Sequence, residues 1–389
     1  MTTHDVIIIG GGFLGVSAAY EAAKAGLRVL LLEAGDLGSG TSGSCSGRAQ
    51  VCEGHLDPLN IALVRGGVER HEHLAEELGY DYDWRRASLL LLLRREQHRT
   101  SWLERSAFLT TVGIPTEVID VDALREAEPN LVLNGLYGAV HSVEGRIDPL
   151  RFIHAYARAA TRLGAELHRH EPVISMQVEG RRVVSVKTPV ATYSAGSVAV
   201  MAGAWENPVT RLAGVELPIH HAHAESFITE AIPPRIFHNI GLSDSYETIH
   251  GKPKAVTIGI HPELNGTLAI AESVTRTPEL HHRVSSWGPS ALATDLVKLY
   301  PFLTKVRIVR SWGRPTSFTP DEEPLVGWAP GLDNLFVATS LMETITAVPL
   351  LAQWVALMLR GEKPPLSLDQ YAPARFSGPA ESYWGAHAG

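Results

Sequence analysis

The stretch Asp5-Val-Ile-Ile-Ile-Gly10-Gly-Gly-Phe-Leu-Gly15 decides the fold of this chain. It begins as a run of β-branched apolar residues, which predicts a buried parallel strand. The glycines end that strand, and the alanine-rich residues 16–25 predict a helix that stops at Gly26. A second apolar run at residues 28–32 ends at Glu33. This order of strand, glycine turn, helix, strand and acid is typical of a dinucleotide-binding unit.

Each part of this unit has a physical role. Gly10 permits the tight turn, Gly12 lets a pyrophosphate approach the backbone, and Gly15 lets the helix pack closely on the strand. The free N–H groups at the start of the helix face the phosphates. Glu33 can accept hydrogen bonds from both ribose hydroxyls, and its charge would repel a 2′-phosphate. We therefore predict a bound adenine dinucleotide, with a purely structural turn as the alternative.

Length and composition limit the class of protein. The 389 residues suggest two domains, or one large domain with an insertion. The apolar fraction of 45% and the charged fraction of 20% are ordinary for a globular protein. A net charge of −8 without a Lys/Arg run argues against nucleic acid as a partner.

Targeting and redox signals predict a cytoplasmic protein. The N-terminus leads directly into the first strand, so no signal peptide is expected. The leucine run at residues 89–93 is too short for a membrane span. Cys45 and Cys52 are the only cysteines, which suits a reducing compartment and is too few for an iron–sulfur cluster.

Histidines are frequent, but their spacing does not predict a metal site. Residues 60–78 read as an amphipathic helix, on which His71 and His73 do not share a face and are expected at the surface. The clusters at residues 220–223 and 281–282 are interpreted as surface or strand histidines rather than metal ligands.

The segment at residues 38–48 is rich in glycine and serine. Small and hydroxylated residues allow backbone and hydroxyl groups to surround a large ligand. Because the segment follows the ribose-binding acid, we predict contact with the cofactor. The alternative is a flexible linker.

Further motifs extend this pattern along nearly the whole chain. They are Gly10-x-Gly12-x-x-Gly15-x-x-x-Ala19 with Glu33, Gly40-Thr-Ser-Gly43, Ser46-Gly-Arg48, Ile147-Asp-Pro149, Ala202-Gly-Ala-Trp205, Leu217-Pro218, Trp312, Thr319-Pro-Asp321, Pro324-Leu-Val-Gly327 and Tyr371-Ala-Pro-Ala-Arg-Phe376. Together they resemble the D-amino-acid-oxidase superfamily of FAD-dependent oxidoreductases. Within it, the resemblance is to the branch of glycine and sarcosine oxidases, the hydrogen cyanide synthase flavin subunit and the opine oxidase/dehydrogenase flavin subunits.

The resemblance implies an α/β fold, in which a Rossmann-like FAD-binding domain carries an inserted α+β substrate domain built on a mostly antiparallel sheet. The implied FAD-binding domain comprises residues 1–84, 147–217 and 324–389. The implied substrate domain comprises residues 85–146 and 218–323.

The resemblance also implies a set of FAD-binding residues. They are Gly10, Gly12, Phe13, Leu14, Gly15, Glu33, Ala34, Gly40, Thr41, Ser42, Ser46, Gly47, Arg48, Val173, Ala202, Gly203, Trp205, Leu341, Met342, Glu343, Thr344 and Ile345. In sarcosine oxidase a cysteine after the tryptophan motif links to the flavin. This chain has no cysteine after Cys52, so non-covalent FAD is expected.

Arg48, His250, Arg314 and Glu343 are the candidate substrate contacts. Glycine oxidase would carry a carboxylate-binding arginine where this chain has Thr316, and Arg314 lies two positions earlier. Arginine suits this role because its fork donates two parallel hydrogen bonds to a carboxylate. A structural ion pair is the alternative for Arg314.

Two further segments shape the expected site. His223-Ala-Glu225 and Ile249-His-Gly251 resemble the opine-oxidase branch, and residues 249–251 are expected on a strand that passes over the flavin. Thr346 and Pro349 predict a helix start whose dipole would face the flavin pyrimidine.

The expected reaction is oxidation of the C–N bond of an amino acid, with a secondary amine of the opine, hydroxyproline or sarcosine type as the expected substrate. A hydride would pass from the substrate to flavin N5, and the imine would hydrolyse. The branch implies a catalytic subunit of a heteromeric dehydrogenase with smaller redox subunits, or a homo-oligomer. The alternatives are a catalytically silent FAD subunit for assembly or electron relay, and a stand-alone glycine or D-amino-acid oxidase.

Overall fold

The computed structural model describes residues 3–341 and 343–376, apart from the side chains of Thr3 and His250. The strands are β1 (Thr3–Ile9), β2 (Val29–Leu32), β3 (Arg48–Ala49), β4 (Arg85–Leu92), β5 (Thr116–Ile119), β6 (Ala139–Arg146), β7 (Glu166–His168), β8 (Ser175–Glu179), β9 (Arg182–Lys187), β10 (Thr192–Val200), β11 (His220–Thr229), β12 (Asn239–Leu242), β13 (Lys254–Pro262), β14 (Leu268–Arg276), β15 (Ile308–Phe318), β16 (Leu325–Trp328) and β17 (Leu335–Thr339). The α-helices are α1 (Phe13–Lys24), α2 (Pro58–Leu78), α3 (Glu96–Thr111), α4 (Val121–Ala127), α5 (Pro149–Arg162), α6 (Glu206–Thr210), α7 (Ser245–His250), α8 (Gly288–Leu299) and α9 (Thr344–Leu359).

The first sheet has the order β16-β17-β10-β1-β2-β7, with β9 attached to β10 and β8 to β9. Strands β17, β10, β1, β2 and β7 run parallel. Both faces of β1 are buried: Val6 and Ile8 pack in the helical layer of α1, α5 and α9, and Ile7 and Ile9 pack on the opposite side. This double burial explains why the strand reads as a continuous apolar run.

The second sheet has the order β15-β11-β14-β13-β12-β4-β6-β3, with β5 paired to β6. Its pairings are antiparallel except that of β12 with β4. Ile258 and Ile260 belong to the apolar cluster that includes Leu292 and Leu296 of α8, whereas the polar residues Thr257 and His261 line a cavity. This alternation places polar side chains of β13 towards the first sheet.

The predicted α/β fold, with a Rossmann-like unit and a second α+β region, is confirmed. Strands of the first sheet come from residues 3–32, 166–200 and 325–339. The second sheet also takes in β3, which lies inside the expected FAD-binding segment 1–84. The domain boundaries themselves stay a prediction.

Two local expectations are wrong. His71 is buried, because its Nδ1 and Nε2 lie 3.0 and 2.9 Å from the Tyr82 hydroxyl and the Ile345 carbonyl oxygen. Its ring also stacks on Trp84 at a centroid distance of 4.2 Å. Residues 249–251 do not form a strand, because residues 245–250 form helix α7 and Gly251 follows it.

Candidate active site

A cavity of about 960 Å³ lies between the two sheets. At one end it reaches the glycine turn after β1. At the other end it reaches the face of the second sheet that points away from α8. The first of these ends is the nucleotide end of the cavity, and the second is its charged floor.

The nucleotide end is shaped by glycines that have no room for a side chain. Gly10 has a φ of +119°, and an added Cβ would overlap the carbonyl oxygen of Met201. A Cβ on Gly15 would overlap the carbonyl oxygen of Gly10, so α1 packs directly on the turn. These close approaches explain why glycine is required at both positions.

Glu33 anchors the other side of this turn. Its Oε2 accepts a hydrogen bond from the Gly11 N–H at 2.6 Å, and its Oε1 accepts one from the Gly35 N–H at 2.7 Å. A carboxylate has about four acceptor sites, so it can also accept bonds from two ribose hydroxyls.

The start of α1 can accept a phosphate. Its N-cap is Gly12, which provides no side-chain cap, and the first turn contains no acidic residue. The Phe13 N–H donates to Ser42 Oγ at 3.1 Å, which brings the serine-rich segment against the turn. Helix starts are anion sites because the helix dipole and the N–H groups of the first turn favour negative charge.

The structure brings most of the expected cofactor residues to this cavity. Those that line it are Gly10, Gly12, Phe13, Leu14, Glu33, Ala34, Gly40, Thr41, Ser42, Ser46, Arg48, Val173, Ala202, Gly203, Trp205, Leu341, Glu343, Thr344 and Ile345. Gly15 and Gly47 lie behind the lining, where an added Cβ would overlap the backbone of Gly10 and Ile147. Met342 lies outside the described residues.

The charged floor comprises Arg48, Glu53, Glu272 and Arg314, all of which line the cavity. Arg48 donates from Nε to Glu144 Oε2 at 2.6 Å and from Nη2 to Glu53. Burial opposes the charge of Arg48, but the Glu144 and Glu53 carboxylates outweigh it and raise the pKa of the guanidinium.

Glu144 lies directly beneath this floor and is fully buried. Its Oε1 accepts a hydrogen bond from Asn239 Nδ2 at 2.8 Å. Burial raises the pKa of Glu144 to about 7, because Arg48 only partly offsets the loss of solvent.

Arg314 forms the second pair of the floor. It donates from Nη2 to Glu272 and from Nη1 to Ser226 Oγ at 3.0 Å. The ion pair that was the alternative for Arg314 is therefore present, while a role for Arg314 as a carboxylate clamp stays a prediction. Thr316 also lines the cavity, and its hydroxyl donates to the Ala222 carbonyl oxygen at 3.2 Å.

Glu343 closes the cavity at the start of α9. It adopts a φ of +42° and is the N-cap residue, so the helix begins at Thr344, two residues before the expected start at Thr346. Its Oε1 accepts from the Gly54 N–H at 2.7 Å and its Oε2 from Asn60 Nδ2 at 3.1 Å. Burial raises the pKa of Glu343 to about 7.

Several lining residues were not found from the sequence. Besides Glu53 and Glu272, His261 lines the cavity, and its Nδ1 is buried without a hydrogen-bond partner. Burial, together with Arg146 and Arg48, holds the pKa of His261 well below its usual range, so the imidazole is neutral. The side chain of His250 lies outside the described part of the chain, although Ile249 beside it lines the cavity.

The histidine clusters are not arranged as a metal site. His223 and His281 place their rings 4.2 Å apart, but among the described residues no group of three or more His, Cys, Asp or Glu side chains could hold a metal ion. Within the same part of the chain, no helix has the length and apolar character needed to cross a bilayer.

Residues 5–358 match the family described as FAD dependent oxidoreductase, and the chain belongs to this family. It is 26% identical over 354 residues to 4-methylaminobutanoate oxidase (formaldehyde-forming) from Paenarthrobacter nicotinovorans, covering 87% of this chain but only 42% of that relative. It is 24% identical to sarcosine oxidase subunit beta from Rhodobacter capsulatus, covering 86% of this chain and 79% of that one. The crystal structure of glycine oxidase from Geobacillus kaustophilus has the same fold, with a TM-score of 0.87, 24% identity and coverage of 97% of this chain and 100% of that one.

The resemblance to this superfamily and the expected cofactor, FAD, are confirmed. The residues present fit the cofactor, because the glycine turn lines the cavity with backbone and Glu33 retains acceptor capacity. When bound, FAD supplies a two-electron acceptor. Gly10, Gly12 and the start of α1 would hold its phosphates, and Glu33 its ribose.

Proposed function

We propose that this chain oxidises the C–N bond of an amino acid or a related amine, with secondary amines as the first class to test. The observation that carries the proposal is one continuous cavity that joins the nucleotide end to a polar floor. The names of the related oxidases, which act on 4-methylaminobutanoate and sarcosine, support the secondary-amine class.

The protein's own residues would bind and orient the substrate and exclude water. Arg48, Arg314 and Glu343 are the proposed contacts with described side chains, and all three are largely buried. His261 also lines the cavity and is neutral, so it adds a polar, uncharged ring to the lining rather than a base. His250 remains a fourth proposed contact.

We also propose that the chain works beside other subunits. Two of its relatives are named as subunits, sarcosine oxidase subunit beta and hydrogen cyanide synthase subunit HcnC. Smaller redox partners would accept the electrons, and a homo-oligomer is the alternative assembly.

Anaerobic reduction of the bound flavin tests the reaction, because loss of the oxidised flavin absorbance does not depend on the electron acceptor. The purified FAD-loaded protein would be mixed with sarcosine, hydroxyproline, opines, glycine and simple N-methylamines. We expect at least one amine to bleach the flavin within seconds to minutes.

Dithionite provides the control, because it reduces a correctly bound flavin without using the substrate site. If dithionite bleaches the flavin and no amine or amino acid does so, the proposed oxidation is contradicted. The catalytically silent FAD subunit would then be the better description.

A further inference from the structure

In each of the two ion pairs of the charged floor, the two side chains differ in their exposed fraction. In the Arg314–Glu272 pair, the glutamate side chain is 23% exposed and the arginine side chain only 9%. In the Arg48–Glu53 pair, the glutamate is 21% exposed and the arginine 10%. In both pairs the carboxylate is therefore the more exposed member, and both members line the cavity.

The guanidinium groups are also already engaged. Arg314 uses Nη1 for Ser226 and Nη2 for Glu272. Arg48 uses Nε for Glu144 and Nη2 for Glu53. A substrate carboxylate would have to displace an internal carboxylate before it could form a bidentate contact with either arginine.

Introducing another anion here would be unfavourable. It would lie beside the partly exposed carboxylates of Glu53 and Glu272, which would repel it. A cation would instead gain attraction from the same two carboxylates. Arg146, which is buried and paired with Glu263, does not line the cavity and so does not reverse this preference.

We infer that the substrate is an amine with no carboxylate next to its reacting carbon, and that Glu272, held in place by Arg314, selects it by binding its ammonium form. This inference rests on the proposed function and narrows its substrate class. Glu272 is accordingly a specificity-determining residue, and Arg314 positions it.

Two inert probes separate an amine from an amino acid. tert-Butylamine and 2-aminoisobutyrate differ in that a carboxylate replaces one methyl group. Neither has a hydrogen on the carbon that bears nitrogen, so neither can be oxidised. Their dissociation constants would be measured by calorimetry on the FAD-loaded protein.

For the unmodified chain we expect tert-butylamine to bind at least about 10-fold more tightly than 2-aminoisobutyrate, a difference of about 1.4 kcal/mol. Glu272→Gln removes the attracting charge and frees the Arg314 fork, so the ratio should fall by about 10-fold or more. Glu230→Gln is the matched control, because Glu230 pairs with Arg307 outside the cavity, and its ratio should stay unchanged.

Equal or tighter binding of 2-aminoisobutyrate to the unmodified chain would overturn the inference, as would no binding of either probe. An unchanged ratio in Glu272→Gln would also overturn it. The order in which the two probes bind is measured on the unmodified protein, so it can overturn the inference even if Glu272→Gln does not fold. Failure of every amine to bleach the flavin would instead contradict the proposed reaction, while the order of probe binding would still be measured.

Discussion

The nucleotide end of the cavity is built from backbone and small residues, whereas its floor is built from charged side chains held in pairs. At the nucleotide end the contacts are with main-chain atoms. The carbonyl oxygens of Met201 and Gly10 lie where a Cβ on Gly10 or Gly15 would be, and the N–H groups of Gly11 and Gly35 donate to Glu33. At the floor, Arg48 and Arg314 depend on carboxylates 42 to 96 residues away, apart from the nearby Glu53. The residues that the nucleotide end tolerates are therefore limited by the space around its backbone. Those that the charged floor tolerates are limited by the balance of charge within its ion pairs.

The largest effect should come from removing one member of a buried pair. Arg48→Met leaves Glu144 without its main compensating charge, which should lower the free energy of unfolding by about 3–5 kcal/mol. Urea unfolding monitored by circular dichroism measures this change. The control Arg307→Met breaks an exposed pair with Glu230 and should cost less than about 1 kcal/mol. Equal losses in the two variants would remove the distinction between a buried floor and an ordinary surface pair.

A somewhat smaller effect is expected at the nucleotide end. Gly10→Ala combines a strained positive φ with overlap on the Met201 carbonyl oxygen, so stability should fall by about 3 kcal/mol and FAD should be lost on purification. Gly26→Ala is the matched control, because Gly26 also has a positive φ but has open space around its Cβ position. It should cost about 1 kcal/mol and retain FAD. Normal flavin content in Gly10→Ala would contradict the requirement for a residue without a Cβ at this position.

Arg314→Ala tests whether the floor acts on the substrate and not on the cofactor. We expect kcat/KM for the best amine to fall about 10- to 100-fold, or about 1.4–2.7 kcal/mol, with the flavin-to-protein ratio unchanged. Arg310→Ala, on an exposed part of the same strand, should leave both quantities unchanged. Unchanged kcat and KM in Arg314→Ala would exclude a substrate role for this arginine.

The smallest effect is the pH dependence contributed by Glu343. The pKa of its carboxyl is raised from 4.5 to about 7, so its contribution to stability is complete below the ordinary pKa and is lost as pH rises through about 7. Unfolding free energies should therefore fall by about 1–2 kcal/mol more between about pH 5.5 and about pH 7.5 in the unmodified chain than in Glu343→Gln.

Glu362→Gln, which changes a partly exposed acid paired with Arg360, provides the control and should keep the slope of the unmodified chain. If the unfolding free energy of Glu343→Gln has the same pH slope as that of the unmodified chain, the pKa of this carboxyl does not differ between the folded and unfolded states. Because Glu144 and Glu21 also have pKa values raised to about 7, the comparison is between slopes and not between absolute stabilities.

The nucleotide end could be predicted because its determinants are local in sequence. Gly10, Gly12, Gly15 and Glu33 occur within one strand–helix–strand unit, whose geometry follows from the order of its parts. The family resemblance then supplied the fold and FAD. The same reasoning placed the start of α9 two residues late, because the left-handed conformation of Glu343 has no sequence signature in a residue that is not glycine or asparagine.

The charged floor could not be predicted in the same way. Glu144 and Glu272 are each the single acidic residue of their strand, β6 and β14, and their partners are set by contacts between distant parts of the sequence. The signal available was one acid in a strand with several buried apolar residues, which suggests a buried partner without identifying it. The prediction that His71 lies at the surface was wrong for a related reason. Helical spacing indicates which residues share a face of the helix, but not what packs against that face.

The shared carboxylates around Arg48 have an evolutionary consequence. Because Glu53 and Glu144 both contact this guanidinium, replacement of any one of the three changes the charge that the other two meet. A lineage that adapts this cavity to a new substrate would have to pass through such an unbalanced intermediate or change several positions together. Strong epistasis among these three residues should therefore restrict the order in which new specificities can arise.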